Sequence, residues 1–182
     1  GQEPLVHRLR VHGKMTLHNN TSFCIATGSV VHFDGDAIVN AANQGCLGGG
    51  GVDGAINEAG GMELQMARSA LPIVRDGFVR CPTGDAKRTI AGSLPCSHVI
   101  HAVGPNCNHY DGDEDLHLLR KAYEKGLMVA SDHHVRSLAF CILSGGIFRG
   151  NRSLREIVDV AFKTISENAY DGLDKVYLVC FT

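Results

Sequence analysis

Residues 40–56 read NAANQGCLGGGGVDGAI. A short apolar run at 36–42 (DAIVNAA) leads into this stretch, four glycines follow at 48–51, and a helix-like pattern begins at Val52. A strand, a glycine loop and a helix in that order offer bare backbone N–H groups and the positive end of a helix to an anion. Glycine admits positive φ and lets a phosphate approach the main chain with no Cβ in the way. The spacing is neither GxGxxG nor a Walker loop, since no Lys-Ser/Thr follows. A tight turn by itself rarely needs four glycines, so the stretch predicts a phosphate or diphosphate cradle inside an α/β fold.

Further strand-like runs lie on both sides of it. Residues 22–27 (SFCIAT), 97–103 (SHVIHAV), 137–143 (SLAFCIL) and 175–181 (KVYLVCF) are short, apolar and bounded by Gly, Pro, Asp or Ser. Their near-continuous apolar character suits strands covered on both faces. Helical patterns alternate with them at 52–59, 62–71, 114–131 and 153–168. The second carries Met62, Leu64, Met66, Ala67 and Leu71; the third carries Leu116, Leu119, Tyr123, Leu127 and Ala130. The fourth opens with Ser153 and Glu156 at capping-box spacing. The alternation predicts an α/β fold, a three-layer α/β/α sandwich around a mixed, largely parallel central sheet. One domain over residues 1–182 is expected, with 1–20 an N-terminal extension or edge strand and 105–115 a polar surface loop.

Composition limits the function classes. Apolar residues make up 44% and charged residues 20% of 182, with a formal net charge of −2. That balance disfavours nucleic acid as a main partner, although Arg75, Arg80, Lys87 and Arg88 form a local basic excess, read as a solvated face. No apolar stretch approaches the roughly 20 residues of a membrane span, and residues 1–20 lack a signal-peptide core. The seven cysteines are scattered without a CxxC pair. They read as buried free thiols of an intracellular protein, whether of cytoplasm, nucleus or mitochondrion. His98 and His101 sit three apart in a strand-like run, so they face opposite ways and do not suggest zinc. His133 and His134 read as exposed.

A second glycine turn, SGGIFRG at 144–150, follows the strand-like run at 137–143 and precedes the last helix. Two such loops at strand ends would grip a diphosphate from both sides, because open α/β sheets bind ligands beyond the carboxyl ends of their strands. Phe148 has two roles open to it: lying over a sugar face, or capping the core.

DAIVNAAN, LGGGGVDGAI, CPTGDAK, VIHAVGP and LSGGIF follow one another from about Gly28 to Phe181, and in this order the chain resembles the macrodomains, in particular the MacroD-type branch. The resemblance implies an ADP-ribose-binding α/β/α sandwich that hydrolyses mono-ADP-ribose from acidic side chains and deacetylates O-acetyl-ADP-ribose. Residue by residue, it implies that Asn43 holds the distal ribose and that Asp53 is the catalytic carboxylate. It implies that Gly49, Gly50, Gly51 and Val52 form the first diphosphate loop, and Ser144, Gly145, Gly146, Ile147 and Phe148 the second. Phe181 falls where an aromatic packs on adenine, with Ser29 and Val30 at the same end. Asn40 reads as a structural amide bonded to backbone groups, and His101 as an interior histidine of the scaffold. Asp53 would orient and activate a water beside the ribose; an acidic residue in a first helical turn also stabilises the helix dipole, a purely structural role. No cofactor and no metal are called for. The implied partners are ADP-ribose, related metabolites and mono-ADP-ribosylated proteins, with the protein itself a monomer.

The chain departs from the family pattern at three places. Ser29 stands where an Asp usually accepts a bond from the adenine amino group, Arg149 where a glycine follows the aromatic, and the sequence ends at Thr182 where relatives usually add a helical segment. Two other readings stay open: a non-catalytic ADP-ribose reader, and a degenerate scaffold or nucleic-acid-binding domain.

Overall fold

The computed structural model describes residues 5–182. Eight strands form one sheet: β1 (Leu5–Val6), β2 (Leu9–Thr16), β3 (Ser22–Gly28), β4 (Ala37–Ala41), β5 (Ala86–Ile90), β6 (His98–Ala102), β7 (Ser137–Cys141) and β8 (Lys175–Phe181). Three helices join them: α1 (Gly51–Ser69), α2 (Glu114–Asp132) and α3 (Leu154–Asn168). The strand order is β1-β2-β3-β8-β7-β4-β6-β5. The five strands from β3 to β6 run parallel, and β1, β2 and β5 are antiparallel additions at the two edges. The sheet is therefore mixed and largely parallel, as the sequence predicts.

Strand periodicity divides the interior into two layers. Ala37 and Val39 of β4, Ile100 of β6 and Phe140 of β7 pack with Leu119, Tyr123 and Leu127 of α2 and with Ile157, Ala161 and Ile165 of α3. Ile38, Val99, Ala139 and Val179 point to the other face and pack with Ile56 and Leu64 of α1. By the same alternation Asn40 and His101 fall on the α1 face, where both are fully buried.

α1 is not one straight helix. Gly61 sits inside it at φ 69°, ψ −162° and breaks it into two arms, corresponding to the two helical patterns at 52–59 and 62–71. The second arm departs from expectation in its facing: Met62 and Met66 are exposed, whereas Leu64 and Arg68 are buried. The charged residue takes the inward position because a buried partner waits for it, as described below. α3 starts as predicted: Ser153 Oγ accepts from Glu156 N–H at 3.1 Å, and Glu156 reaches back to Ser153.

Two strands are polar: β2, which falls within the 1–20 span read as an extension or edge strand, and β5, which escaped the sequence pattern. β2 is mostly exposed along its length and β5 reads AKRTI. The basic excess at 75–88 is accordingly not a uniform solvated face. Arg80 is half-buried and donates to the Gly45 carbonyl at 3.3 Å, and Arg88 in β5 donates to His98 Nδ1 at 2.9 Å. His133 and His134 are exposed. All seven cysteines are free and only Cys180 is more than slightly accessible; burial pushes the Cys141 thiol up to about 12, so it stays protonated. No helix among the described residues is long and apolar enough to cross a membrane.

Candidate active-site cleft

A cleft of about 500 Å³ opens beyond the carboxyl ends of β4, β7 and β8. Here the connections from β4 and β7 leave the sheet on opposite faces, α1 on one side and α3 on the other, which is where open α/β sheets leave a crevice. Its walls include Asn43, Asp53, both glycine loops, Phe148 and Phe181.

The first glycine loop is shaped residue by residue. Gly48 (φ 141°) and Gly51 (φ 56°) occupy backbone regions that side chains avoid, and a Cβ on Gly48 would come within 2.7 Å of the Asn57 amide. Gly49 lies under Asn43 and Asp53: its Cβ position is 3.4 Å from Asn43 Nδ2 and 3.8 Å from Asp53 Oδ2. Gly50 is different. Its φ of −89° suits any residue and a Cβ there meets nothing within 4 Å, so no protein contact explains the missing side chain. Gly50 is also the N-cap of α1 and supplies no side-chain cap, which leaves the first helical N–H groups free for an anion.

The second loop follows β7. Ser144 adopts φ 56°, a region that costs a non-glycine residue about 1–3 kcal/mol. It is held there because its Oγ donates to the Pro105 carbonyl at 2.7 Å. Leu143 N–H, one residue earlier, donates to the buried Tyr123 hydroxyl of α2 at 2.9 Å. Ile147–Arg149 then form a short 3-10 turn capped by Gly146, again with no side-chain cap. Arg152, just beyond, forks onto the buried Asp115 carboxylate at 2.9 and 2.7 Å and fixes the 105–115 segment against this loop. That ion pair holds the Asp115 carboxyl below the usual range.

Asn43 is anchored but not exhausted. Its Nδ2 donates to the Gly48 carbonyl at 3.0 Å and its Oδ1 accepts from Cys46 N–H at 3.1 Å. One N–H and one lone pair of the amide remain to meet a ligand.

Asp53 is the most constrained group of the cleft. It is buried, and Arg68, with no exposed surface, grips it with both guanidinium arms: Nη1 to Oδ1 at 2.5 Å and Nη2 to Oδ2 at 3.1 Å. Arg68 Nε also donates to the Cys46 carbonyl at 2.6 Å, and Nη1 to Asn57 Oδ1 at 3.2 Å. Asn40 Nδ2 donates to Asp53 Oδ1 and to His101 Nδ1, both at 3.1 Å. Asn40 is thus bonded to side chains rather than to backbone groups as expected, because its even-numbered strand position aims it at α1. The Thr89 hydroxyl gives its proton to the Ile90 carbonyl, so His101 Nε2–H must donate to Thr89 Oγ at 2.9 Å. That fixes the neutral tautomer, and burial followed by the Arg68 charge holds the His101 pKa well below the ordinary value. Asn40 Oδ1 is left buried without a partner.

The remaining predicted residues divide. Gly49–Val52, Ser144–Phe148 and Phe181 do line the cleft. Ser29 and Val30 do not: Val30 is buried in the α1-side core, and Ser29 caps a short turn, its Oγ accepting from Val31 N–H at 3.4 Å. Arg68 and Asn57 were not anticipated. The available signal was a lone arginine four residues after Leu64 on a helical face, a position that is buried only when the charge finds a partner.

An uncapped helix start and a glycine turn facing each other across parallel strand ends define an α/β protein built to hold a phosphorylated ligand. The Macro domain profile matches residues 39–154, and the chain belongs to the macro domain family. It is 43% identical over 159 residues to a macro domain-containing protein of Cupriavidus necator, covering 86% of this chain and 88% of that one. It is 39% identical over 159 residues to a Klebsiella pneumoniae protein named O-acetyl-ADP-ribose deacetylase, covering 86% and 87%. Among solved structures it resembles the Oceanobacillus iheyensis macrodomain with ADP, at TM-score 0.83 and 30% identity over 93% of this chain and 88% of that one. The Trypanosoma brucei macrodomain in complex with ADP-ribose matches at TM-score 0.75 and 31% identity, over 100% and 74%.

Proposed function

We propose that the cleft binds ADP-ribose and that the protein hydrolyses esters of its distal ribose, both O-acetyl-ADP-ribose and mono-ADP-ribose carried on acidic side chains of proteins. The observation that carries this reading is the meeting of an amide, a carboxylate and two uncapped glycine loops in one cleft. The loops bind the diphosphate through backbone N–H groups, Phe181 covers the adenine end, and Asn43 presents its free N–H and lone pair to the ribose hydroxyls. Asp53 accepts a hydrogen bond from a water placed over Gly49 and aims it at the ester. Water adds, the ester bond breaks, and a carboxylic acid and ADP-ribose leave. Asp53 faces this task with both oxygens held in place by the Arg68 fork, so its part is to orient the water. Relatives bearing the deacetylase name and macrodomains crystallised with ADP and ADP-ribose support the ligand and the reaction.

The same Arg68 fork favours a second reading, a binding module that does not turn over, because Arg68 and Asn40 already place three hydrogen bonds on the Asp53 carboxylate. The two are separated by incubating the wild type with O-acetyl-ADP-ribose and with an auto-ADP-ribosylated protein while measuring ADP-ribose binding by calorimetry. Release of acetate and of ADP-ribose supports the hydrolase. Binding without release leaves the reader, and no binding removes both.

A further inference from the structure

A second cavity of about 430 Å³ adjoins the cleft and shares Asn43 and Phe148 with it. Its other walls include Phe78, Tyr110, Gln44 and Thr83. We infer that this groove receives the acyl side of the ester, specifically the neutral peptide that carries an ADP-ribosylated carboxylate side chain. The inference rests on the function proposed above, which puts the distal ribose at Asn43.

Position makes the first argument. Asn43 is a shared wall together with Gly104 and Phe148, so a group attached to the ribose that Asn43 holds leaves the main cleft into this groove. Size makes the second. An acetyl group fills roughly 60–90 Å³, at ~30 Å³ for each water-sized group, and would leave most of the groove empty. Chemistry makes the third. Among the described residues the groove is lined by His109 but by no carboxylate, lysine or arginine, so it is poor in partners for a free anion or cation. It offers aromatic faces and an amide instead. Gln44 Oε1 accepts from Arg75 at 3.0 Å and from Thr83 N–H at 3.4 Å. These two bonds fix the amide orientation and leave Gln44 Nε2 to donate to a peptide carbonyl. Phe78 is 55% exposed on the turn between Arg75 and Val79. An aromatic ring so placed covers an extended segment better than it covers any part of its own core.

The test compares kcat/KM for O-acetyl-ADP-ribose and for a peptide mono-ADP-ribosylated on glutamate, in the wild type and in Phe78→Ala and Tyr110→Ala. ADP-ribose binding is measured on each protein by calorimetry. Phe78→Ala opens no core cavity, so it keeps the test interpretable if Tyr110→Ala folds poorly. The ratio of peptide to acetyl kcat/KM should fall about tenfold, the usual consequence of truncating an aromatic that anchors a contact. If ADP-ribose binding persists and the ratio does not move, or both substrates lose equally, the groove does not hold the peptide. If the wild type binds no ADP-ribose, the proposed function fails and takes this inference with it.

Discussion

Arg68 follows Asp53 by 15 residues in the same helical segment, yet its Nη1 stands 2.5 Å from Asp53 Oδ1. On an unbroken helix that separation is roughly 22 Å, at 1.5 Å per residue. The break at Gly61 folds the second arm of α1 back along the first, and only this makes the pair possible. The carboxylate at the centre of the cleft is thereby held by a charge from its own helix rather than by a distant part of the chain.

Removing Arg68 should therefore be far costlier than removing a surface charge. Arg68→Met leaves the Asp53 carboxylate buried without its partner, and loss of one member of a buried pair costs about 3–5 kcal/mol. Urea unfolding monitored by circular dichroism should show the unfolding free energy falling by that amount, with a correspondingly lower midpoint. The converse substitution, Asp53→Ala, strands the arginine and should be destabilised similarly, so its loss of hydrolysis must be read beside its stability. Asp53→Ala combined with Arg68→Met should recover part of the stability without recovering turnover.

Gly50 permits a cleaner test of the diphosphate cradle. Its backbone accommodates any residue and a Cβ meets no protein atom. Gly50→Val should melt within a few degrees of the wild type while weakening ADP-ribose binding at least tenfold, about 1.4 kcal/mol. Calorimetric titration checks the second part; unchanged affinity would mean that no ligand passes over Gly50.

Ser144 sets strain against a hydrogen bond. Ser144→Ala keeps the unfavourable φ and loses the bond to the Pro105 carbonyl, at a cost of about 1 kcal/mol or more. Ser144→Gly loses the same bond but relieves the backbone, so it should be the more stable of the two variants. Thermal unfolding of the pair decides the order.

Buried His101 should make stability depend on mildly acidic pH. Burial, and then the Arg68 charge, depress its pKa in the fold, while the unfolded chain binds a proton near the ordinary histidine value of about 6.5. The folded state therefore binds fewer protons below that pH, and stability present above it is lost as pH falls. The slope contributed is at most about 1.4 kcal/mol per pH unit, one proton's worth. His98, whose pKa is lowered by its own partial burial and by Arg88, shifts stability in the same direction. Comparing the stability of wild type and His101→Gln between pH 7.5 and about 5 isolates the first contribution: the variant should show the shallower slope.

Legibility in the sequence followed burial. The five parallel strands are apolar on both faces and stood out as continuous runs, β8 to the residue. The capping box at Ser153 and Glu156 marked the start of α3, and the gap between two helical patterns marked Gly61. β2 lay within 1–20, read only as an extension or edge strand, and β5 went unseen, because edge strands carry polar side chains and blur the alternation that identifies a strand. In the cleft the glycine loops were plain, since few other structures require such runs. The Arg68 grip was not, because it depends on how two arms of a helix fold together, and spacing along the chain says nothing of that. Ser29 and Val30 match by position, whereas in the fold one caps a turn and the other joins the core.

The fold-back at Gly61 also fixes how much length variation this part of the chain can tolerate. One residue added to either helical arm between Asp53 and Arg68 would turn the arginine by about 100° around its axis, carrying its charge away from the carboxylate. The surface segment at 70–79 is less constrained, since most of it is exposed, with hydrogen bonds to the rest of the chain at its ends and through Arg75. Insertions that adapt this chain to new partners can be accommodated there, at the rim of the groove beside Phe78, while the stretch from Asp53 to Arg68 must be kept to its count.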